Sequence, residues 1–354
     1  MDRPLYADSV GRLRKFARGM IMCQANDNRT NSISPEALKH RWDELRENRP
    51  QLRIREAASV LEVSEAELLA TGCEENVTRL EADWLGLLNG IESFGPVLAL
   101  TRNDDAVHEK TGFYQSIRLT DAGGRIQDEN IDLFLDFRHW HSAFAVTEQT
   151  RQGARDSLQF FDRDGTAVHK IYMTENRCIP AYRALIERYR SEDQSQRQYV
   201  EPPVLNIDSV AAVAGNDRLG QVWHERLISC GAVPYQSAEP LQTERLSPPL
   251  FRRFMEKASE IGAGLTVLVG NAGAVQVHSG PIEKLMITGP WFNVLDDGFN
   301  LHLKEDALAE LRLAVRRAGD TSVNMLELYD AAGHHIAMIL FEHADLGECL
   351  TTDV

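Results

Sequence analysis

The sequence predicts an α+β fold built by internal duplication of a unit that combines helices with an antiparallel sheet. Three segments of the first half align without gaps to three segments of the second half, at a constant offset of 168 residues (271 minus 103). The aligned pairs are Asn103–Gly112 with Asn271–Gly280, Asp132–Leu135 with Asn300–Leu303, and Ser157–Gly165 with Met325–Gly333. A shared offset across three segments predicts two structurally similar halves.

Each repeat begins with apolar residues at helical spacing and continues with short β-rich runs bounded by turn residues. Helices are predicted at Trp84–Ile91, Ala181–Tyr189 and Leu250–Ala258, and an amphipathic helix is expected just before Arg316 and Arg317. The predicted strands are Val97–Thr101, Ile131–Phe137, Ser142–Val146 and Ser157–Phe161 in the first repeat, and Leu265–Val269, Phe299–Leu303, Met325–Tyr329 and Ile336–Phe341 in the second. Short runs separated by turns favour antiparallel meanders.

A helical segment precedes the first repeat. Ser34 followed by Pro35 is typical of a helix N-cap and first helical position, and Ile54–Thr71 reads as two short helices in a helix-turn-helix-like arrangement. Because this segment carries more Glu than Arg, we expect a packed helical cap rather than a DNA reader. The expected division is 1–37 as an N-terminal extension, 38–190 as the first repeat with its cap, 191–206 as a linker, and 207–354 as the second repeat.

Composition excludes several classes of protein. The 354 residues carry 38 basic and 53 acidic side chains, a net charge of −15, which disfavours sequence-independent binding to nucleic acid. No apolar run is long enough for membrane insertion, and we expect no secretory signal. The five cysteines are odd in number and show no CxxC spacing, which predicts reduced thiols and a cytoplasmic location. Motifs for nucleotide hydrolysis, Rossmann cofactor binding and triad hydrolysis are missing from the sequence.

Several motifs resemble the HemS/ChuS/HmuS family of hemin-degrading and heme-trafficking proteins. They are Asn130–Trp140, Ser157–Asp162, Gly289–Asn293, Phe299–Glu305 and the opening block from Arg41 to Leu69. The resemblance covers about residues 38–345 and spans both repeats. It implies paired α+β halves, heme held between a sheet of the second half and a helix, and a place in bacterial iron acquisition from heme.

The resemblance also implies a set of heme-contacting positions, and this chain departs from the family at most of them. Phe134 stands where the family has a distal Arg, and Cys230 stands where it has the axial His. Arg317 matches a family Lys and keeps its charge, whereas Met338, Leu340 and His343 replace polar and aromatic contacts on the final strand. The position-by-position match therefore retains one cation and loses the family's iron ligand.

Each candidate residue has a structural alternative. Cys230 is either a thiolate ligand to heme iron or a small buried cysteine, and His224 is either a displaced axial ligand or a helix-surface histidine. Arg317 is either a propionate partner or a cation at a helix C-terminus. His302, the repeat counterpart of Phe134, is expected to be a packed strand histidine.

Three functions remain open from the sequence. The first is a heme-degrading, oxygenase-like enzyme that uses an external reductant. The second is a carrier that exchanges heme with a heme transporter component. The third is a divergent, non-catalytic member that has lost the heme site and acts as an interaction scaffold. The missing distal Arg weakens the enzyme hypothesis most, because Phe134 offers no donor to steer bound oxygen. The sequence does not decide the oligomeric state.

Overall fold

The computed structural model describes residues 33–150, 153–175, 179–201, 242–318 and 321–351. Within these ranges the α-helices are α1 (Pro35–Asn48), α2 (Ile54–Leu61), α3 (Glu65–Ala70), α4 (Trp84–Gly90), α5 (Ile179–Tyr189), α6 (Leu250–Ile261) and α7 (Ala344–Thr351). Short 3-10 turns cover Ile91–Phe94, Phe137–His139 and Glu305–Ala307. No helix in this described part is both long and apolar enough to cross a membrane.

Strands make up most of the remaining described chain. Those of the first repeat are β1 (Val77–Leu80), β2 (Val97–Arg102), β3 (Ala106–Gly112), β4 (Arg118–Thr120), β5 (Gly123–Gln127), β6 (Asp132–Asp136), β7 (Ser142–Thr150), β8 (Gly153–Phe161) and β9 (Ala167–Met173). Those of the second are β10 (Gln242–Leu246), β11 (Leu265–Gly270), β12 (Ala274–Gly280), β13 (Leu285–Thr288), β14 (Trp291–Asp296), β15 (Phe299–Lys304), β16 (Glu310–Ala318), β17 (Thr321–Tyr329) and β18 (His335–Phe341). The α+β fold class is confirmed.

The strands form two nine-stranded antiparallel sheets, and each sheet contains strands from both repeats. Sheet A has the order β1-β7-β8-β9-β2-β3-β15-β14-β13, and sheet B has the order β10-β16-β17-β18-β11-β12-β6-β5-β4. The last three strands of sheet A come from the second repeat, and the last three of sheet B come from the first. The repeats therefore exchange a three-stranded unit, so a sequence boundary between them does not separate the sheets.

A reciprocal pair of asparagines fastens the two repeats together. The side-chain amide of Asn103 donates to the carbonyls of Gly270 and Ile336 at 3.1 and 2.8 Å. The amide of Asn271 donates to the carbonyls of Arg102 and Val168 at 2.8 Å each. Every partner is displaced by the repeat offset of 168, so one turn motif makes the same contact twice. The duplication read from the sequence is thus a near-symmetry of the folded chain.

The inner face of each sheet packs against helices. In sheet A, apolar residues of β2, β7, β8 and β9 pack with α4, α5 and the aromatic cluster around Trp140, whose indole Nε1 donates to the carbonyl of Gly273 at 3.0 Å. In sheet B, alternate residues of β11, β17 and β18 pack with α6 and α7. These two cores supply most of the hydrophobic stabilisation of the fold.

The helical cap predicted before the first repeat consists of α1 to α3. The Ser34 hydroxyl accepts from the backbone N–H of Ala37 at 3.2 Å with Pro35 beginning the helix, as its sequence indicates. Ser64 and Glu67 form a capping box at the start of α3. The apolar side of α3 packs on the outer face of sheet A, against residues such as Phe144 and Phe161. These helices are a packed cap, as expected from the sequence.

The prediction of an amphipathic helix before Arg316 and Arg317 is wrong, because residues 310–318 form the strand β16. Leu311 and Leu313 alternate with Arg312 and Ala314, and this period of two places the leucines in the core beneath sheet B. Arg317 is paired with Ser322 of β17 rather than lying at a helix C-terminus. The helix-dipole alternative for Arg317 is therefore removed.

Candidate heme-binding site

The outer face of sheet B carries a continuous apolar surface. We call it the methionine face, and it consists of Phe134, Leu268, Val275, Val277, Ala314, Met325, Met338 and Leu340. Each of these side chains is at most 4% exposed. They come from β6, β11, β12, β16, β17 and β18, so the face crosses six neighbouring strands of sheet B. Five inter-strand spacings of ~4.8 Å give a width of about 24 Å, which is wider than a porphyrin ring.

Strand alternation explains why these residues share a surface. On β18, Ile339 and Phe341 point into the core with α6, and therefore Met338 and Leu340 point to the opposite side. The register carries the surface across the sheet: Met338 is paired with Leu268, and Val275 is paired with Phe134. Antiparallel pairing thus brings a side chain of the first repeat into the apolar face of the second.

One rim of the methionine face is formed by an ion pair on β5 and β6. Arg125 Nε and Nη2 donate to the two carboxylate oxygens of Asp132 at 2.7 and 3.0 Å, and both side chains are mostly buried. The guanidinium carbon of Arg125 also lies 4.8 Å from the centre of the Phe134 ring. Because Asp132 uses both oxygens, the fork of Arg125 is held rigidly beside the apolar surface. The rim is charged, but its charges are balanced.

A second charged group lies on β16 and β17. Arg312 donates to the carboxylate of Glu310, and its guanidinium carbon lies 4.4 Å from the centre of the Tyr329 ring. The hydrogen bond to Glu310 raises the pKa of Arg312 and lowers the pKa of Glu310. Glu327, paired with Arg312 across the strands, is buried. This side of the face therefore carries polar and charged groups.

The repeat counterpart of the methionine face has a different character. At the same offset, Met338 corresponds to Lys170, Leu340 to Tyr172 and Phe134 to His302. Lys170 is ion-paired with Glu65 of the helical cap, and the Nδ1 of His302 lies 2.6 Å from the side-chain oxygen of Asn293. Burial lowers the pKa of His302 despite nearby Glu109. Polar side chains thus interrupt the corresponding face of sheet A, which keeps apolar residues such as Leu100 and Val107 and is partly covered by helices, whereas the methionine face is formed by apolar residues.

The structure brings together some of the residues predicted from the sequence. Phe134 and Leu340 lie in the methionine face, and His302 is a packed strand histidine as expected. His343 is half-exposed, follows β18 and lies 3.9 Å from Asp345 at the start of α7, which packs on the opposite side of sheet B. The side chain of Arg317 lies outside the described part of the structure.

Both iron-ligand candidates, Cys230 and His224, also lie outside the described residues. Among those described, no group of three His, Cys, Asp or Glu side chains is placed to hold a metal ion. The donors that the methionine face itself contributes are the thioether sulfurs of Met325 and Met338. Thioethers are soft ligands, used for heme iron in some cytochromes.

Sequence reasoning missed most of the methionine face. Leu268, Val275, Val277, Ala314 and Met325 alternate with core residues on their own strands, and this signal was present in the sequence. This alternation predicts that each strand has apolar residues on both faces, but it does not predict which strands are neighbours in the sheet. Chemically, the face is an apolar wall beside balanced charges. It suits a planar macrocycle rather than a polar substrate.

The fold and this face define a class of protein: an internally duplicated α+β chain with two interleaved sheets and an apolar wall on the second. The sequence profile of the haemin-degrading HemS.ChuX domain matches residues 62–189 and 232–348. The chain belongs to this HemS family, as the resemblance of its motifs predicted.

Relatives of known name match over nearly the whole chain. The hemin transport protein HemS of Yersinia enterocolitica is 31% identical over 317 residues, covering 86% of this chain and 91% of that protein. The heme-binding protein PhuS of Pseudomonas aeruginosa, solved in its holo form, is 34% identical with a TM-score of 0.77, covering 91% of this chain and 99% of PhuS. ChuS, an Escherichia coli heme oxygenase, is 27% identical with a TM-score of 0.72, covering 89% of this chain and 99% of ChuS.

Proposed function

We propose that this protein binds heme as cargo in bacterial heme-iron acquisition, with the methionine face as one wall of the heme slot. The observation that carries the proposal is the six-strand apolar face on sheet B, which polar side chains such as Lys170 and His302 interrupt in its counterpart on sheet A. The likeness of the whole chain to a hemin transport protein and to a heme-binding protein supports the same ligand. The macrocycle would lie against Met338, Leu268 and their neighbours, where burial of apolar area supplies most of the affinity.

Transport is the form of heme handling that the described residues favour. Oxidative degradation requires a donor that steers bound oxygen, and Phe134 at the family's distal position cannot donate a hydrogen bond. The two described cysteines, Cys73 and Cys349, are buried and free, which fits the proposed cytoplasmic location. In this function the protein would exchange heme with a transporter component of the cell.

Degradation is the second candidate, favoured by the likeness to the heme oxygenase ChuS. In that case an external reductant would supply electrons, and the product would be a bilin with released iron. Arg317 would hold a propionate, and Cys230 or His224 would hold the iron. A scaffold without heme is the remaining alternative, and the same experiment separates all three.

The test is a hemin titration of the purified protein, followed by Soret absorbance. We expect saturable one-to-one binding with a defined Soret band, because the apolar wall has been kept. Ascorbate is then added in air: a stable heme spectrum supports transport, and conversion to a bilin supports degradation. Non-saturating binding equal to that of an unrelated acidic protein would contradict heme handling and favour the scaffold.

A further inference from the structure

A large cleft lies on the other sheet, between the helical cap and the outer face of sheet A. We call it the cap cleft, and its volume is about 1200 Å³. Its walls come from α1, the start of α2 and α3 on one side, and from β1, β2, β7, β8 and β9 on the other. Its volume extends past the edge of sheet A to Tyr182 and Ile186 of α5. Ligand pockets of globular proteins are commonly of this size or somewhat smaller. The cap cleft contains no residue of the methionine face.

Cations outnumber acids in the lining of the cap cleft. The cationic side chains are Lys39, Arg46, Arg53, Arg55, Arg102, Arg155 and Lys170, and the acidic ones are Asp43, Glu65, Glu75 and Glu148. Each acid already faces a cation: Glu65 with Lys170, Glu75 with Lys39, Asp43 with Arg46, and Glu148 opposite Arg155 on the neighbouring strand. The acids therefore leave a surplus of positive charge, in a chain whose net charge is −15.

Three of the cations that line the cleft, Arg53, Arg55 and Arg102, form no ion pair with a buried acid in the described part of the chain. Arg55 pairs with Asp104, but that carboxylate is 82% exposed and screened by water. The side chain of Arg53 has no acidic partner among the described residues. Arg102 is half-buried, and the one acceptor it meets is the carbonyl of Asn103, at 3.1 Å from its Nε. The two terminal nitrogens of Arg102 consequently have no protein acceptor in the described part of the chain.

The three guanidinium groups act on one another electrostatically. Burial and the charge of Arg55, with a smaller contribution from Arg53, lower the pKa of Arg102 to about 10, although Glu65 and Asp104 act in the opposite direction. Placing like charges together beside a half-buried guanidinium opposes folding unless something compensates. A bound anion would remove the repulsion and satisfy the free nitrogens. The arrangement thus has the form of an anion site without its anion.

The floor beside this cluster is apolar and aromatic. Leu100 and Tyr172 form a small buried cluster with Val107, and Tyr172 is covered on one side by the guanidinium of Arg155 at 3.7 Å. Trp42 of α1 also lines the cleft. A ligand that touched both regions would carry negative charge at one end and an apolar group at the other.

We propose that the cap cleft binds an organic phosphate carrying two or more negative charges, its phosphate groups on Arg53, Arg55 and Arg102 and its apolar part against Leu100 and Tyr172. A carboxylate occupies one guanidinium fork and brings one charge. Three guanidiniums concentrated at one end need more charge in a small volume, which a di- or triphosphate supplies. This site is separate from the proposed heme slot, so either can fail without the other.

Isothermal titration calorimetry tests the proposal with ATP, ADP and pyrophosphate as phosphate probes and biliverdin as a dicarboxylate probe. The variants are Arg102→Gln and Arg53→Gln, which keep hydrogen-bonding capacity but lose the charge. Arg41→Gln is the matched control, because Arg41 lies exposed on α1 and does not line the cleft. Circular dichroism verifies folding, and Arg53→Gln, an exposed position, is used alone if Arg102→Gln does not fold.

We expect saturable binding of ATP or ADP by the wild type and Arg41→Gln, weakened at least tenfold in Arg102→Gln and Arg53→Gln. Hemin binding is expected to be equal in all four proteins, which separates this site from the heme slot. The proposal is overturned if none of the phosphates binds at millimolar concentration or if the variants bind as tightly as wild type. It is also overturned if biliverdin binds here and the phosphates do not.

Discussion

We predict that the ion pair between Lys170 and Glu65 stabilises the packing of the helical cap on sheet A. Lys170 on β9 and Glu65 at the start of α3 have side chains that are 9% and 5% exposed. Glu65 raises the pKa of Lys170, although burial acts in the opposite direction. In the second repeat the same position is Met338, so Lys170→Met introduces a side chain that the fold already accommodates there.

Replacement of Lys170 alone leaves a buried carboxylate without its partner. Breaking a buried pair in this way costs about 3–5 kcal/mol in the free energy of unfolding. The double variant Lys170→Met with Glu65→Leu removes both charges, and apolar replacement of a whole pair is often neutral or stabilising. We therefore expect the double variant to recover most of the loss. Lys39→Met is the control, because Lys39 and Glu75 are more exposed and their pair is worth at most about 1 kcal/mol.

Urea unfolding followed by far-UV circular dichroism measures all four free energies. The reasoning predicts a large loss in Lys170→Met, a small loss in Lys39→Met, and a double variant more stable than Lys170→Met. If Lys170→Met lost no more stability than Lys39→Met, the ion pair between Lys170 and Glu65 would not stabilise the attachment of the helical cap to sheet A. A double variant no better than the single would show that packing, not the orphaned charge, caused the loss.

Two further predictions concern the backbone and pH. Gly123 has φ +120°, and a Cβ there would lie 2.2 Å from the carbonyl oxygen of Leu135. Gly123→Ala should therefore lower the urea midpoint much more than Gly289→Ala, because at Gly289 φ is +58° and no atom lies within 4 Å of such a Cβ. Equal losses in the two variants would contradict this prediction. Burial lowers the pKa of His169 to about 3, so protonation of the unfolded chain below pH 6.5 favours unfolding, and stability should fall from there towards pH 3. The pH slope of the unfolding free energy over that range should decrease by up to one proton in His169→Gln, and an unchanged slope would show that His169 does not titrate this way.

The sequence was sufficient for much of the fold because its signals are local. Ser34 with Pro35, and Ser64 with Glu67, cap their helices through contacts three residues apart. The repeat offset predicted two similar halves, and Asn103 and Asn271 make equivalent hydrogen bonds in the two halves. Each of these features depends on near neighbours in the chain or on direct self-comparison.

The sequence did not predict which strands are hydrogen-bonded neighbours in each sheet. Phe134 belongs to the first repeat, yet β6 lies in sheet B beside β12 of the second repeat. Alternation along a single strand cannot reveal this exchange, because β6 buries Phe134 on one face and Leu133 and Leu135 on the other. The same ambiguity produced the wrong helix before Arg317, where Leu311 and Leu313 fit a strand whose partners lie far along the chain.

The cap cleft was missed for a related reason. Arg102 lies nearly fifty residues beyond Arg53 and Arg55 in the sequence, and a net charge of −15 leaves local basic clefts possible without locating one. Folding brings all three residues into the lining of one cleft. Charge totals describe the whole surface, whereas a cleft depends on which few charges meet.

The central claim is that heme lies against the methionine face, and the most direct test compares two matched methionine variants. Met338 is buried in that face, and Met286 is 52% exposed on β13 at the far edge of sheet A. Met→Gln keeps the shape of the side chain but places an amide in an apolar wall, which is unfavourable without a hydrogen-bond partner. Met338→Leu keeps the wall apolar and serves as a second comparison.

Hemin dissociation constants are measured by Soret titration for the three variants and the wild type, after circular dichroism has shown that each is folded. We predict that Met338→Gln binds hemin at least tenfold more weakly, about 1.4 kcal/mol, while Met338→Leu and Met286→Gln stay close to wild type. Wild-type affinity in a folded Met338→Gln protein would contradict the claim and place heme elsewhere on the molecule.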